Sequence, residues 1–229
     1  YRAAIEIFTE GIEKHPTDAR LYRHRGHRYI SLRELDRAIA DFTKAADLIK
    51  GTDNKIEPDG MPNAQGIPVS TTHGNIWYHL GLAYYLKQDF EKALWAYEHA
   101  RNTANSADNV VSTTHWLYMI LQRLGRPADA QNTLKGIAED MPVIENFAYH
   151  QLCLFYKGDW TLEKLLAENN GGPQGAGMAY GIANWHAYND DQTEATKLLR
   201  AIIDETSNWP AFGYIAAEAD LAAIENATN

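Results

Sequence analysis

The stretch WYHLGLAYYLKQDFEKALWAYEHA, residues 77–100, decides how the rest of the chain is read. Trp77, Leu80, Gly81 and Tyr84 fall three to four positions apart. After the polar break Lys87-Gln88-Asp89 the same spacing resumes at Phe90, Ala93, Leu94, Tyr97 and Ala100. That periodicity predicts two amphipathic helices in tandem, closed into a helix hairpin. Gly81 and Ala93 are small where the helices would cross. Trp77, Tyr84 and Tyr97 are expected to fill the volume around the crossing.

Working outward, the same unit recurs. Ala4, Phe8 and Gly11 match Ala38, Phe42 and Ala45 thirty-four positions on; these match Ala93, Tyr97 and Ala100 at a shift of 55, a 34-residue period enlarged by a 21-residue insertion. Ala130, Leu134 and Ile137 follow at 37, and Ala195, Leu199 and Ile202 at 65, which leaves room for an irregular hairpin between them. A 34-residue period of helix pairs resembles the tetratricopeptide repeat (TPR). The resemblance rests on Tyr22, Gly26, Tyr29, Ala38, Phe42 and Ala45 in one repeat, and on Trp77, Leu80, Gly81, Tyr84, Ala93, Tyr97 and Ala100 in the next. It departs from the family pattern at Arg25, where an apolar residue is usual, and from residue 143 onward. It implies an all-α fold: a right-handed α-solenoid of five to six hairpins over residues 1–229. The first hairpin is truncated, since Tyr1 opens on what should be a second helix, so preceding residues and any export signal are expected to be missing. A capping helix is expected at 210–225.

Composition bounds the function. With 229 residues, 45% of them hydrophobic, the chain can bury a continuous core. A net charge of -9 and a pI near 5.4 argue against nucleic acid or an anionic membrane surface as partner. No run of 18 apolar residues exists to span a bilayer. The single Cys153 excludes a disulfide framework and reads as a buried thiol. There is no Gly-rich phosphate loop, HExxH, paired Cys or Ser in a nucleophile turn. We therefore expect no enzyme, no cofactor and no metal.

Two stretches interrupt this pattern. Arg20, Arg23, His24, Arg25, His27 and Arg28 crowd one helix of an acidic chain. They read either as a solvated face paired to acids such as Glu34 and Asp36, or as an anion site formed by Arg20, His24 and His27 with Arg23 beside them. Residues 51–70, GTDNKIEPDGMPNAQGIPVS, form a Pro- and Gly-rich insertion. We expect it to be ordered and docked through Ile56, Met61 and Ile67. Asp53, Glu57, Asp59 and Asn63 do not follow the EF-hand order. EPDGMPNAQGIPVST, NIWYHLGLAYYL, TTHWLYM and FGYIAAEADL together resemble a group of uncharacterised bacterial TPR proteins. That likeness implies a bacterial and exported protein and brings no activity with it.

In such a stack the first helix of each hairpin lines the concave surface. Projection from Trp77, Gly81 and Tyr84 puts Asn75, Tyr78 and Tyr85 on that surface. The preceding repeat contributes Arg20, Arg23 and His27, the following one Ser112, His115 and Gln122, and Tyr149, Tyr156, Tyr180, Asn184 and Tyr188 continue the row. A groove of Tyr, Asn, His and Arg suits an extended peptide. The Lys and Asn clamp that the resemblance associates with chaperone tails is absent, since Arg23, His27 and Asn75 stand in its slots. The expected function is a protein- or peptide-binding scaffold. The alternative is a small-molecule or carbohydrate site, with or without enzymatic activity, formed where the insertion closes over the groove.

Overall fold

A computed structural model describes residues 1–58, 63–168 and 172–228. Among these the chain is all-α, and the only extended pairing is a single antiparallel bridge between Ile56 and Thr71. The helices gather into two compact units, residues 1–113 and 114–229. The first unit holds α1 (Arg2–Lys14), α2 (Ala19–Ser31), α3 (Leu35–Leu48), α4 (Thr72–Leu86) and α5 (Phe90–Asn102); α6 (Ala107–Arg123) runs across the boundary. The second holds α7 (Pro127–Thr133), α8 (Phe147–Lys157), α9 (Leu162–Ala167), α10 (Gly172–Tyr188), α11 (Gln192–Asp204) and α12 (Phe212–Thr228).

The repeat is written into the backbone as well as the side chains. Arg33, Gln88, Gly125 and Asp190 occupy the same slot of four inter-helix turns, each with positive φ, at 61°, 62°, 68° and 61°. In each turn the next N–H reaches back to the carbonyl five residues before it: Glu34 to Tyr29, Asp89 to Tyr84, Arg126 to Leu121 and Asp191 to His186. The left-handed residue ends one helix, and Asp89 and Asp191 then cap the next through their side chains. These turns lie 55, 37 and 65 residues apart, the same shifts that relate the Ala-aromatic-Ala positions.

The α2–α3 and α4–α5 hairpins close where a glycine lets an aromatic ring against the backbone. A Cβ on Gly81 would lie 2.5 Å from the Tyr97 ring, and one on Gly26 would lie 3.0 Å from Phe42. Phe42, Tyr97, Ala38, Ala45 and Ala93 are all fully buried. Arg25, the departure from the family pattern, points into this region and forks onto the buried Asp41 at 2.7 and 2.8 Å while also donating to Thr9. The apolar residue expected there is replaced by a bidentate pair that satisfies itself.

Several expectations are corrected. Tyr85, projected onto the groove, is fully buried and edge-on to Phe90 at 5.3 Å. Tyr84, expected in the core, is half-buried under Lys92. The reason is that α4 packs against α2 and α3 as well as α5. A projection from its own hairpin alone misses the face turned to the preceding pair. The helix from Pro127 is short: Thr133 turns its hydroxyl onto Ala130, and a 3-10 turn from Leu134 to Gly136 follows it. A short α9 stands where the periodicity fades. Ile56 and Ile67, expected to dock the insertion, are 59% and 51% exposed, and Met61 lies outside the described residues. Val69 and Glu57 are buried in their place.

Candidate functional site

The insertion is fastened at its neck. Residues 55–57 lie antiparallel to 70–72, with Glu57 N–H donating to Ser70 O at 3.0 Å and Thr72 N–H to Lys55 O at 2.9 Å. Asn54 accepts from His73 N–H, and Asn109 donates to Val69 O at 2.7 Å. Asn63 organises a turn of its own by bonding Gln65, Ile67 and the Ile67 carbonyl. This framework delivers the Glu57 carboxylate to α2 and α4. Its Oε2 accepts from Arg23 Nη2 and from Asn75 Nδ2, the latter at 2.7 Å. Burial pushes the Glu57 carboxyl up, but the Arg23 charge and the hydrogen bonds from Asn75, Arg23 and Thr72 outweigh it and leave it below the ordinary range.

Around this contact lies an open cleft of about 1060 Å³. Its walls include Arg20, Arg23 and His24 from α2, Lys14 beside them, and Lys55, Ile56 and Glu57 from the insertion. Arg20 is mostly solvated and paired with Asp18, the residue that caps α2. Lys14 and Lys55 make no ion pair among the described residues. The cleft is thus a polar surface of mixed charge, Lys14, Arg20, Arg23 and Lys55 standing against Asp18, Asp53 and Glu57, and its excess of one cation sets it apart on an acidic chain. The acids expected to pair the arginine-rich face, Glu34 and Asp36, bind Arg37 and Lys87 instead. Asp18, Asp41 and Glu57 take the partners on α2.

Beneath the cleft the histidines form an uncharged layer. His27 and His79 face each other at 4.8 Å, His79 stacks on Phe42, and His24 stacks on Phe8. Burial, then the neighbouring Arg23 charge, brings His79 down to about 3, and the same two causes bring His24 down to about 4. His27 is also lowered, by burial and then by His79. His79 Nδ1 is the donor to Asn75 O at 2.6 Å, which fixes its tautomer and links the layer to the carboxylate site. No group of three His, Cys, Asp or Glu that could hold a metal exists among the described residues.

Of the projected groove residues in the first unit, Arg20 and Arg23 line the cleft, and Arg23 and Asn75 share Glu57. His27 and Tyr78 meet through His79, Tyr78 also lying edge-on to Tyr97 at 5.2 Å. Tyr85 belongs to the core. In the second unit His115 is buried, stacked on Tyr149 at 4.7 Å and within 3.3 Å of the Tyr156 hydroxyl. Gln122 donates to the Tyr118 hydroxyl at 2.9 Å. It lines a separate cavity of about 450 Å³ floored by Arg123, Asn184, Tyr188 and Asp220. That floor is internally bonded: Arg123 donates to Asn184 and Asp220, Tyr180 to Asp220, and Tyr188 to Asn184.

Glu57 is the residue the sequence reading missed as a partner of Arg23; it was weighed only as a calcium ligand. The available signal was an acid set between Ile56 and Pro58 in an insertion, in a chain whose α2 carries four arginines and no acid.

Hairpins closed by glycine on an aromatic ring, joined by one recurring turn, define an all-α fold of TPR type. No family model matches the sequence, and no curated protein matches it. Among solved structures the chain is similar to one described as "Crystal structure of YrrB: a TPR protein with an unusual peptide-binding site", at 21% identity over 94% of this chain and 98% of that one, with a TM-score of 0.46. A likeness of that size adds nothing to the fold that the helices and turns already define.

Proposed function

We propose that the chain is a protein- or peptide-binding scaffold, with the basic cleft of the first unit as its recognition surface. The supporting observation is the cleft itself: open, about 1060 Å³, walled by Lys14, Arg20, Arg23 and Lys55 and by Asp18, Asp53 and Glu57, with Arg20 and Arg23 paired to Asp18 and Glu57 and Ile49 and Ile56 supplying apolar surface among them. Compact small-molecule sites are mostly apolar and enclose their ligand, at roughly 300–1,000 Å³. A charged, open trough instead suits an extended chain whose acidic groups meet the cations and whose backbone meets the polar side chains. The second reading, a small-molecule or carbohydrate site under the insertion, has one observation in its favour: residues 51–58 form one wall of the cleft, beside His24 and His73. No tyrosine lines it.

An array of immobilised acidic, basic and neutral peptides, probed with the purified chain, tests the proposal. Acidic peptides are expected to retain the protein, and a Lys14→Glu, Lys55→Glu double variant is expected to lose roughly tenfold in affinity with a steeper loss at low salt. Retention of no peptide, or equal retention of the charge-reversed variant, overturns it.

A further inference from the structure

The cleft already holds a carboxylate of its own. Glu57 is buried with its side chain 7% exposed, and Arg23 with its side chain 11% exposed, yet the pair is incomplete: Arg23 Nε and Glu57 Oε1 have no hydrogen-bond partner among the described residues. Arg23 offers the Nε–Nη2 edge of its guanidinium, the fork that takes a carboxylate on two parallel bonds. Glu57 engages that edge through one oxygen. Two residues along the same helix, Arg25 makes the complete version, with Nε and Nη2 each on a different oxygen of Asp41. One pair is built to stay. The other leaves a buried donor and a buried acceptor unsatisfied, which favours any carboxylate able to reach both Nε and Nη2.

Glu57 also has a way out. Its backbone is held by the neck pairing to Ser70 and by the anchors at Asn54 and Asn109. Its side chain borders the open cleft. Release of that side chain from Arg23, Asn75 and Thr72 breaks none of the backbone bonds that fasten the insertion. On the strength of the scaffold reading above, we propose that Glu57 is an internal ligand that keeps the Arg23–Asn75 site closed, and that a carboxylate of an acidic peptide displaces it. Glu57 is then an autoinhibitory latch, and the partner is an acidic peptide segment that carries its own replacement carboxylate.

The probe is a fluorescein-labelled hexaglutamate peptide, amidated or with a free C-terminus, read by fluorescence anisotropy against the wild-type chain and Glu57→Gln. A closed state that leaves the open form populated at roughly 10% or less lowers apparent affinity by that fraction, so Glu57→Gln is expected to bind roughly tenfold tighter or more. Adding Arg23→Gln should abolish the gain, and a hexaglutamine peptide should bind neither form. Preference for the free C-terminus would identify the main-chain carboxylate as the displacing group; equal binding would identify side chains. Equal affinity of wild type and Glu57→Gln for hexaglutamate overturns the latch while leaving the scaffold reading in place. Failure of both to bind any peptide on the array overturns both. Should Glu57→Gln fold poorly, the wild-type chain labelled with ¹⁵N-arginine still decides the matter. Excess hexaglutamate is expected to shift the Arg23 Nε–H resonance, assigned by its loss in Arg23→Lys, and an unmoved resonance overturns the latch.

Discussion

Gly213 opens α12, and its backbone rests directly on α10. A Cβ built there would lie 2.3 Å from the Ala176 carbonyl oxygen, 2.6 Å from its carbon and 2.8 Å from Gly177 Cα. All three are main-chain atoms, so no side-chain rotation relieves the overlap, and Gly213→Ala must push two helices apart by about 1 Å to reach ordinary contact. Overpacking of this kind typically costs about 1–3 kcal/mol, and a clash with backbone belongs at the upper end, about 3 kcal/mol. Gly177, inside α10, is the control. Its added Cβ would meet only the Tyr149 ring at 3.5 Å, an ordinary contact. Gly177→Ala should therefore gain helix propensity, stabilising by up to about 1 kcal/mol. With a urea slope of about 1–3 kcal/mol/M, Gly213→Ala should lower the second unit's midpoint by roughly 1–3 M, and Gly177→Ala should raise it slightly. Circular dichroism follows the whole chain, while single-tryptophan variants retaining Trp77 or Trp185 report one unit each, which matters because the two units need not unfold together. If Gly213→Ala unfolds within 0.5 kcal/mol of wild type, or if both alanines destabilise equally, the close crossing of α10 and α12 is wrong.

Two further outcomes concern the first unit. His79, His27 and His24 are held below the ordinary histidine range in the folded chain, so the unfolded chain binds more protons as pH falls below about 6.5, and stability falls with it. At pH 5 a fully buried neutral histidine of this kind costs about 2 kcal/mol, and the loss continues toward the folded values of about 4 for His24 and about 3 for His79. The first unit's urea midpoint should therefore drop between pH 7.5 and 5.0, and should drop less in His79→Phe; a midpoint that does not move contradicts the buried, neutral layer. Tyr85→Ala removes a fully buried ring and should cost about 3–5 kcal/mol. Tyr78→Ala removes a half-buried one and should cost less than half of that, measured by the same denaturation. Equal losses would put Tyr78 in the core and out of any recognition surface.

The hairpins were legible because helix burial is periodic and local. Gly26 with Phe42, and Gly81 with Tyr97, lie sixteen residues apart in each repeat, so a short window holds both sides of the contact. The capping residues Asp18, Asp89 and Asp191 act on their own turns, within three residues. What tertiary structure decided was every choice that depends on a second neighbour. Whether Tyr84 or Tyr85 is buried depends on how α4 meets α2 and α3, which no pattern within α4 encodes. Likewise, the insertion turns Ile56 and Ile67 outward and Glu57 inward because a buried arginine demands a carboxylate more strongly than those two side chains demand burial. The pairing of Glu57 with Arg23 spans 34 residues of chain with no periodic signal between them. Charge partners are chosen by proximity in space, and only the folded backbone supplies it.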